Sequence, residues 1–398
     1  MKIGIVGAPN RGKSTFFKSA TLADVEIADR PFVTIKANTG IAYVKVDCAD
    51  SFFNVQCNPR FGSCINHKRF VPIELIDVAG LIRGSYAGKG LGNEFLNDLR
   101  EADALIQVID ISGSVNEAGE KVEPFSYNPS EDIEFLDFEL NMWYYQILRK
   151  GWDKFARQVK QEKASIIKAL HKQLSGLKVT EEYVENSIKS LKLNVETPES
   201  WSDQELMNLA TELRHKSKPI IIAANKIDIK GSEKNLERIK KEFLKYKIIP
   251  CSADSELALR ECLKKDLIKY IPGENNFEII SKELNEKQKA ALEFIQEEVL
   301  TNYNSTGVQD LLNATVFDLL NYIAVFPGGM NNLKDKDGRI IPDCFLIPSG
   351  STALDFAFRI HTDIGNNFIK AFDVKKRIVI GKDHKLGNLD VIEIATRK

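Results

Sequence analysis

Residues 7 to 15, GAPNRGKST, carry the spacing G-x-x-x-x-G-K-[ST] through Gly7, Gly12, Lys13 and Ser14. The chemistry of such a stretch is anion binding. Glycines let backbone N–H groups close around a phosphate at a helix N-terminus, the lysine neutralises β/γ oxygens, and the hydroxyl ligates Mg²⁺. Asn10, Arg11, Gly12, Lys13, Ser14 and Thr15 are therefore the candidate phosphate-binding residues. A second stretch, Asn225-Lys226-Ile227-Asp228, suits base reading. The Asp228 carboxylate can accept from guanine N1–H and the 2-amino group, Asn225 can bond the N7 edge and local backbone, and the Lys226 stem can cover a purine face. Adenine has no N1–H to offer Asp228. Cys251-Ser252-Ala253 adds Ser252 and an Ala253 N–H that can meet guanine O6.

Two further stretches fit γ-phosphate sensing. Asp77-Val78-Ala79-Gly80 places a carboxylate at the end of an apolar run and a glycine three residues on, which suits Mg²⁺ held through water and an N–H at the γ-phosphate. Thr34, in Arg30-Pro31-Phe32-Val33-Thr34-Ile35, can offer its hydroxyl to Mg²⁺ and its N–H to the same phosphate. The expected metal set is Ser14, Thr34 and Asp77, and the expected catalytic set Lys13, Thr34 and Gly80. Four glycines between Gly84 and Gly92 exclude a regular element and supply hinge freedom. Together the five blocks describe a GTP/GDP site that uses Mg²⁺. Asn10 is also a candidate ligand for a monovalent cation such as K⁺.

The elements that must position these groups alternate as βαβ. Apolar strands are predicted over 2–6, 40–46, 71–76, 104–110, 219–224 and 247–250, with helices over 13–22 and 93–100. That rhythm gives an α/β doubly wound sheet with ligands at the carboxyl ends of its strands. Residues 1–128 and 217–272 are assigned to this domain. Between them, 129–216 read as an all-helical insertion, expected to project as an antiparallel arm. Residues 273–324 read as a helical linker, with helices over 281–300 and 307–324. Residues 325–398 read as a small domain in which a helix opened by a Thr352-x-x-Asp355 capping box lies over a mixed sheet, a ubiquitin-like β-grasp. Asp355 and His361 within it are expected to serve caps and surface rather than catalysis.

Composition limits the alternatives. Lys+Arg (55) and Asp+Glu (56) nearly balance, so a nucleic-acid surface has to be local. The basic run from Arg149 to Lys178, with Lys150, Lys154 and Arg157 on one helix face, is either a solvated face or a phosphate-backbone contact for RNA. No apolar run reaches the ~18 residues of a membrane span, and a cytoplasmic protein without membrane contact is expected. Six cysteines without a CxxC suit reduced thiols. Cys48, Cys57, Cys64 and His67 fall in one connection, but their gaps are wide for a structural zinc site, so ordinary loop thiols are expected; a Cys57–Cys64 disulfide is the remaining option.

On these residues the chain resembles the Obg-related GTPases of the YchF family, particularly its archaeal-type branch, over essentially its whole length. The resemblance runs through the phosphate loop, PFVTI, DVAGLIRGSYAGKGLGNEFL, the insertion opening Asn128-Pro129-Ser130-Glu131-Asp132-Ile133-Glu134, NKID, SAD and a C-terminal TGS domain. It implies slow GTP hydrolysis and ribosome or RNA association through the insertion and the TGS domain, regulating translation or a stress response. The alternative is an RNA-binding module in which the nucleotide is structural. Relatives that prefer ATP have an altered NKxD, whereas here it is intact. Leu81 stands where a glutamine would orient water, so low intrinsic turnover is expected. The loop histidine assigned in bacterial members has no counterpart, since no histidine lies between His67 and His171. A monomer is the default expectation.

Overall fold

A computed structural model describes residues 1–21, 38–78, 84–87 and 98–397. The predicted positions Thr34, Gly80 and Leu81 lie outside the described residues.

The first sheet is built from β1 (Lys2–Val6), β2 (Thr39–Asp47), β3 (Ser63–Ile65), β4 (Lys68–Asp77), β5 (Ala104–Asp110), β6 (Ile220–Asn225) and β7 (Lys247–Pro250). Its order is β2-β4-β1-β5-β6-β7, with β3 also paired to β4. β4, β1, β5, β6 and β7 run parallel, and β2 runs antiparallel along the outer side of β4. Strands β5 and β6 are buried at every residue, which explains their unbroken apolar sequences: covering on both faces removes any need for alternation. Parallel pairing also brings the ends of β1, β4, β5, β6 and β7 to one edge. Gly7, Asp77, Asp110, Asn225 and Cys251 therefore meet there although they are spread over 245 positions of chain.

Helix α1 (Lys13–Thr21) follows the first strand. The insertion holds α2 (Ser130–Arg149), α3 (Trp152–Gln161), α4 (Ile166–Leu174), α5 (Glu181–Ser190) and α6 (Asp203–Ser217). Its base, α2 with α6, packs on the sheet, and α3, α4 and α5 pack on the insertion's own helices. One apolar cluster runs from Val6, Leu105 and Ile220 of the sheet through Leu136, Leu140 and Tyr144 of α2 to Leu209 and Leu213 of α6. The outer helices close on Trp152 and Trp201, whose rings stack with centroids 5.4 Å apart. The wide apolar stripe of α2 needed a partner, and the sheet supplies it.

Beyond α7 (Ser232–Glu242) and α8 (Ala253–Lys264), a hairpin, β8 (Ile268–Tyr270) and β9 (Phe277–Ile279), straddles the expected start of the helical linker at residue 273. The linker's first helix, α9 (Glu286–Phe294), starts later than predicted because the Asn285 and Gln288 capping box fixes the start; a π turn, Ile295–Leu300, continues it. Its second, α10 (Val308–Asn313), passes into a π turn, Ala314–Leu319, and stops there. The predicted continuation to Ala324 is strand. Asn321 turns into the left-handed region and Tyr322–Pro327 becomes β10. The aromatic and β-branched run YIAVFP gains two strand partners that a helix would forgo.

Strands β10, β11 (Phe345–Pro348), β12 (Phe368–Asp373), β13 (Ile378–Ile380) and β14 (Val391–Thr396) form the second sheet in the order β11-β10-β14-β12-β13. A parallel β10–β14 pair lies at its centre, with helix α11 (Ala353–Ile360) packed on it through Phe356, as a β-grasp requires. Asp355 accepts from the Thr352 N–H and hydroxyl at 2.8 Å each, and His361 Nδ1 accepts from the Asp363 N–H, so both are caps, as expected. The two sheets share a core: Phe326, Ile341, Leu346 and Val391 join Val44, Val71 and Leu75 in one cluster.

Candidate nucleotide-binding site

The phosphate loop is shaped by two glycines that have no substitute. Gly7 (φ 145°) lies where a Cβ would fall 2.4 Å from the Val108 carbonyl oxygen of β5, and Gly12 (φ 94°) where it would fall 2.2 Å from Asn225 Nδ2. The loop then enters α1, with the first helical bond from Phe16 N–H to Gly12 O. Ser14 is exposed and Thr15 half-buried at that N-terminus, where the first backbone N–H groups have no partner within the helix. Lys13 Nζ donates to Ala8 O across the loop at 2.9 Å. Burial pushes the Lys13 pKa down, and the facing Asp77 acts against it. Asp77 ends β4 half-buried; burial raises its pKa and Lys13 opposes the rise.

Arg11 departs from the expected phosphate contact. Its side chain is fully buried and points away from the cradle, with Nε and Nη2 donating to the Asp132 carboxylate at 2.5 and 2.9 Å and Nη1 to Asn116 O at 3.0 Å. The Tyr127 ring lies under the guanidinium, and its hydroxyl donates to the same carboxylate. Only the Arg11 backbone is left to the loop. Asn10 Nδ2 likewise donates to Gly119 O at 2.8 Å, so the segment after β5 braces the loop from outside.

At the base end, Asn225 is a tie rather than an open reader of the N7 edge. Its Nδ2 donates to Arg11 O at 3.0 Å, and its Oδ1 accepts the Ala253 N–H at 3.0 Å. That bond commits the amide expected to meet guanine O6. Lys226 sits in the left-handed region and anchors its ammonium on Asp110 Oδ2 (2.9 Å) and Ser114 Oγ (3.2 Å), which extends its stem along the edge of the site. Asp228 is half-buried and its carboxylate has no hydrogen-bond or ion-pair partner among the described residues. Burial, and then the Asp228 charge, push the neighbouring Asp254 carboxyl upward.

Several supporting residues carry no motif. Ser252 caps α8 through Ser255 N–H, and its own N–H donates to Thr306 O at 2.9 Å. The Thr306 hydroxyl donates to buried Glu256 at 2.6 Å, while Gly307 (φ 83°) lies so close that a Cβ would stand 1.9 Å from Pro250 O. Glu139 of α2, also buried, accepts the N–H groups of Gly84 and Tyr86 at 2.7 and 3.0 Å. Asp132 had a signal, its place in the stretch Asn128–Glu134; Thr306 and Glu139 had none.

Family profiles match three segments: a 50S ribosome-binding GTPase over residues 2–138, an Obg-like GTPase YGR210-like, G4 motif-containing domain over 223–328, and a TGS domain over 332–396. An uncharacterized GTP-binding protein of Methanocaldococcus jannaschii is 47% identical over 396 residues, covering 99% of this chain and 98% of the relative. This chain belongs to the YchF family of Obg-like GTPases. The solved structure of a GTP-binding protein from Pyrococcus horikoshii OT3 is 37% identical with a TM-score of 0.80, covering both chains fully. A ribosome-binding ATPase YchF of Buchnera aphidicola subsp. Acyrthosiphon pisum is 28% identical over 379 residues, covering 94% of this chain and 88% of the relative. As a YchF-family chain it carries the expected P-loop fold and TGS domain, and no described helix is long and apolar enough to cross a membrane.

Proposed function

We propose that this chain is a Mg²⁺-dependent, guanine-selective GTPase switch of low intrinsic turnover that associates with the ribosome or its RNA. The observation that carries guanine selectivity is Asp228: a carboxylate with open acceptor capacity on a loop whose other polar groups are already engaged. The donor pair on a guanine edge satisfies it, whereas the edge of adenine leaves it unmet, at a cost of ~1–3 kcal/mol for the unsatisfied group. At the other end Lys13 trades its bond to Ala8 O for phosphate oxygens, and the Gly12, Lys13 and Ser14 amides close on them.

The donor set suits Mg²⁺: an exposed hydroxyl on Ser14 and a half-buried carboxylate on Asp77 facing Lys13, with Thr34 as the third expected ligand. A bound ion would supply charge neutralisation at the phosphates. Lys13 and the loop amides stabilise the negative charge that develops as water attacks the γ-phosphorus and the bond to the β-γ bridging oxygen breaks, releasing GDP and phosphate. Lys13, Thr34 and Gly80 remain the proposed catalytic set. Asn10 would hold K⁺ only through Oδ1, since its nitrogen serves Gly119; equal turnover in K⁺ and Na⁺ removes that ligand.

For RNA, α3 and its approach present Lys150, Lys154 and Arg157 exposed, with no acidic partner among the described residues, while Arg149, Lys160 and Lys178 are engaged by Asp203, Glu199 and Asp103. The usable patch is narrower than the sequence suggests. The deciding experiment is competitive GTP and ATP binding with the wild type and Asp228→Asn, alongside ribosome co-sedimentation with GDP and with a non-hydrolysable GTP analogue. Guanine preference lost in the variant, with sedimentation that follows the nucleotide and weakens with salt, supports the switch. RNA affinity indifferent to nucleotide would favour a binding module instead.

A further inference from the structure

The connection between β2 and β4 gathers four ligand atoms that its sequence spacing does not advertise. One atom each from Cys48, Asp50, Cys57 and Cys64 lies within 4.8 Å of all the others. Cys48, Asp50 and Cys57 are buried, and Cys64 is half-buried. Sγ of Cys48 and Cys57 are 3.6 Å apart, as are Cys64 Sγ and Asp50 Oδ2. A tetrahedron with metal–sulfur bonds of about 2.3 Å has edges of about 3.8 Å, so these separations are those of ligands around one ion; a disulfide would need them near 2 Å.

We propose that Cys48, Asp50, Cys57 and Cys64 form a structural zinc site that fastens the nucleotide-binding domain to the TGS domain. Three sulfurs and one carboxylate oxygen around a closed, buried point form the soft tetrahedral donor set that zinc favours. Binding displaces the thiol protons to solvent, leaving three thiolates and a carboxylate, four negative charges against two on the ion. The surrounding groups answer that excess. Arg69, itself buried, directs Nη1 to Cys57 Sγ at 3.3 Å. His67 is not a ligand, as the sequence had offered; its Nδ1 lies 2.9 Å from Asp50 Oδ1, orienting the carboxylate so that Oδ2 faces the thiols. An imidazole on the outer oxygen of a ligating carboxylate is a usual outer support of a metal site.

The location gives the ion a purpose. The segment from Cys48 to Gly62 has one short turn, Ala49–Ser51, as its regular structure, yet it carries the seam between domains. Asn58 N–H donates to Ile340 O and Arg60 N–H to Pro342 O, both at 2.9 Å; Arg69 Nη2 donates to Ile341 O and Pro342 O at 3.1 and 2.7 Å. Arg60 also pairs with Asp335. A loop with so little core of its own holds such a face only if something fixes it from inside.

The test begins with the full-length wild type, purified under reducing conditions with zinc and then desalted. One zinc per chain is expected by elemental analysis, and Co²⁺ exchange should give the absorption of a tetrahedral thiolate centre. Cys64→Ser and Asp50→Asn should each lower zinc affinity at least tenfold, and His67→Ala about tenfold, with GTP affinity unchanged as the check on folding. Removing the ion should raise hydrogen exchange across 335–344. A wild-type chain that takes up no zinc with its thiols reduced overturns the assignment. So does intact mass showing a Cys48–Cys57 disulfide in place of metal, or zinc retained undiminished by all three variants.

Discussion

The two ends of the nucleotide site are built by opposite means. The phosphate end is nearly one uninterrupted stretch, Gly7 to Thr15, whose shape follows from two glycines in conformations closed to other residues and from the start of α1. The base end is assembled from Asn225 at the end of β6 and Lys226 just beyond it, Ala253 after β7, Asp110 at the end of β5 and Thr306 from the linker. Local geometry can make an anion cradle, because every residue of the stretch except Pro9 carries a backbone N–H to donate. Base reading needs a few side chains at fixed separations, and only packing supplies that. Asn225 joins the two ends, bonded to Arg11 O on one side and Ala253 N–H on the other.

The sharpest way to break this contrast is at Asp132, which tests whether the phosphate end is as local as its motif. Asp132→Ala strands the buried Arg11 guanidinium and should destabilise the fold by about 3–5 kcal/mol, read as a shift in denaturant midpoint. Adding Arg11→Met should restore part of it; a wild-type midpoint in the single variant would make the cradle self-sufficient. Next is Gly307→Ala. The new methyl meets Pro250 O, so the loop carrying Ser252 and Ala253 must move at a cost of about 1–3 kcal/mol. GTP affinity should fall while tripolyphosphate affinity holds, and a parallel loss of both would erase the distinction between the ends. Thr306→Val is milder, removing one hydroxyl from Glu256, which keeps Tyr270 and Arg260. About 1 kcal/mol of stability should go, measured by urea unfolding.

The smallest effect is pH. Burial raises the Asp77 pKa, so its neutral form persists to higher pH than in an ordinary aspartate. If its carboxylate supports Mg²⁺, triphosphate affinity should decline on acidification before an unshifted carboxyl would titrate, and the decline should be absent in Asp77→Asn. Guanosine, which engages the base end alone, should show no such early decline.

How legible each region was follows the same division. The parallel strands were evident because double burial writes itself as unbroken apolar sequence, and the helix opened at Thr352 because its capping box is local. The strand from Tyr322 was hidden: its residues also fit a helical pattern, and what decides is pairing with β11 and β14, the latter some seventy positions away. Asp50 was passed over in favour of His67 for a similar reason. Only the folded connection turns the carboxylate inward and leaves the imidazole behind it.

By itself the sequence determined the phosphate-loop and NKID motifs, the alternation that yields a doubly wound sheet, and the β-grasp tail. Each rests on interactions within a few residues or on a periodicity that burial imposes. Tertiary structure alone decided that Arg11 serves Asp132 rather than phosphate, that Asn225 spans two loops, that the base of the insertion packs on the sheet, and that three cysteines and an aspartate converge. Those outcomes depend on distances between segments remote in the chain, fixed when the sheets and helices pack into a common core.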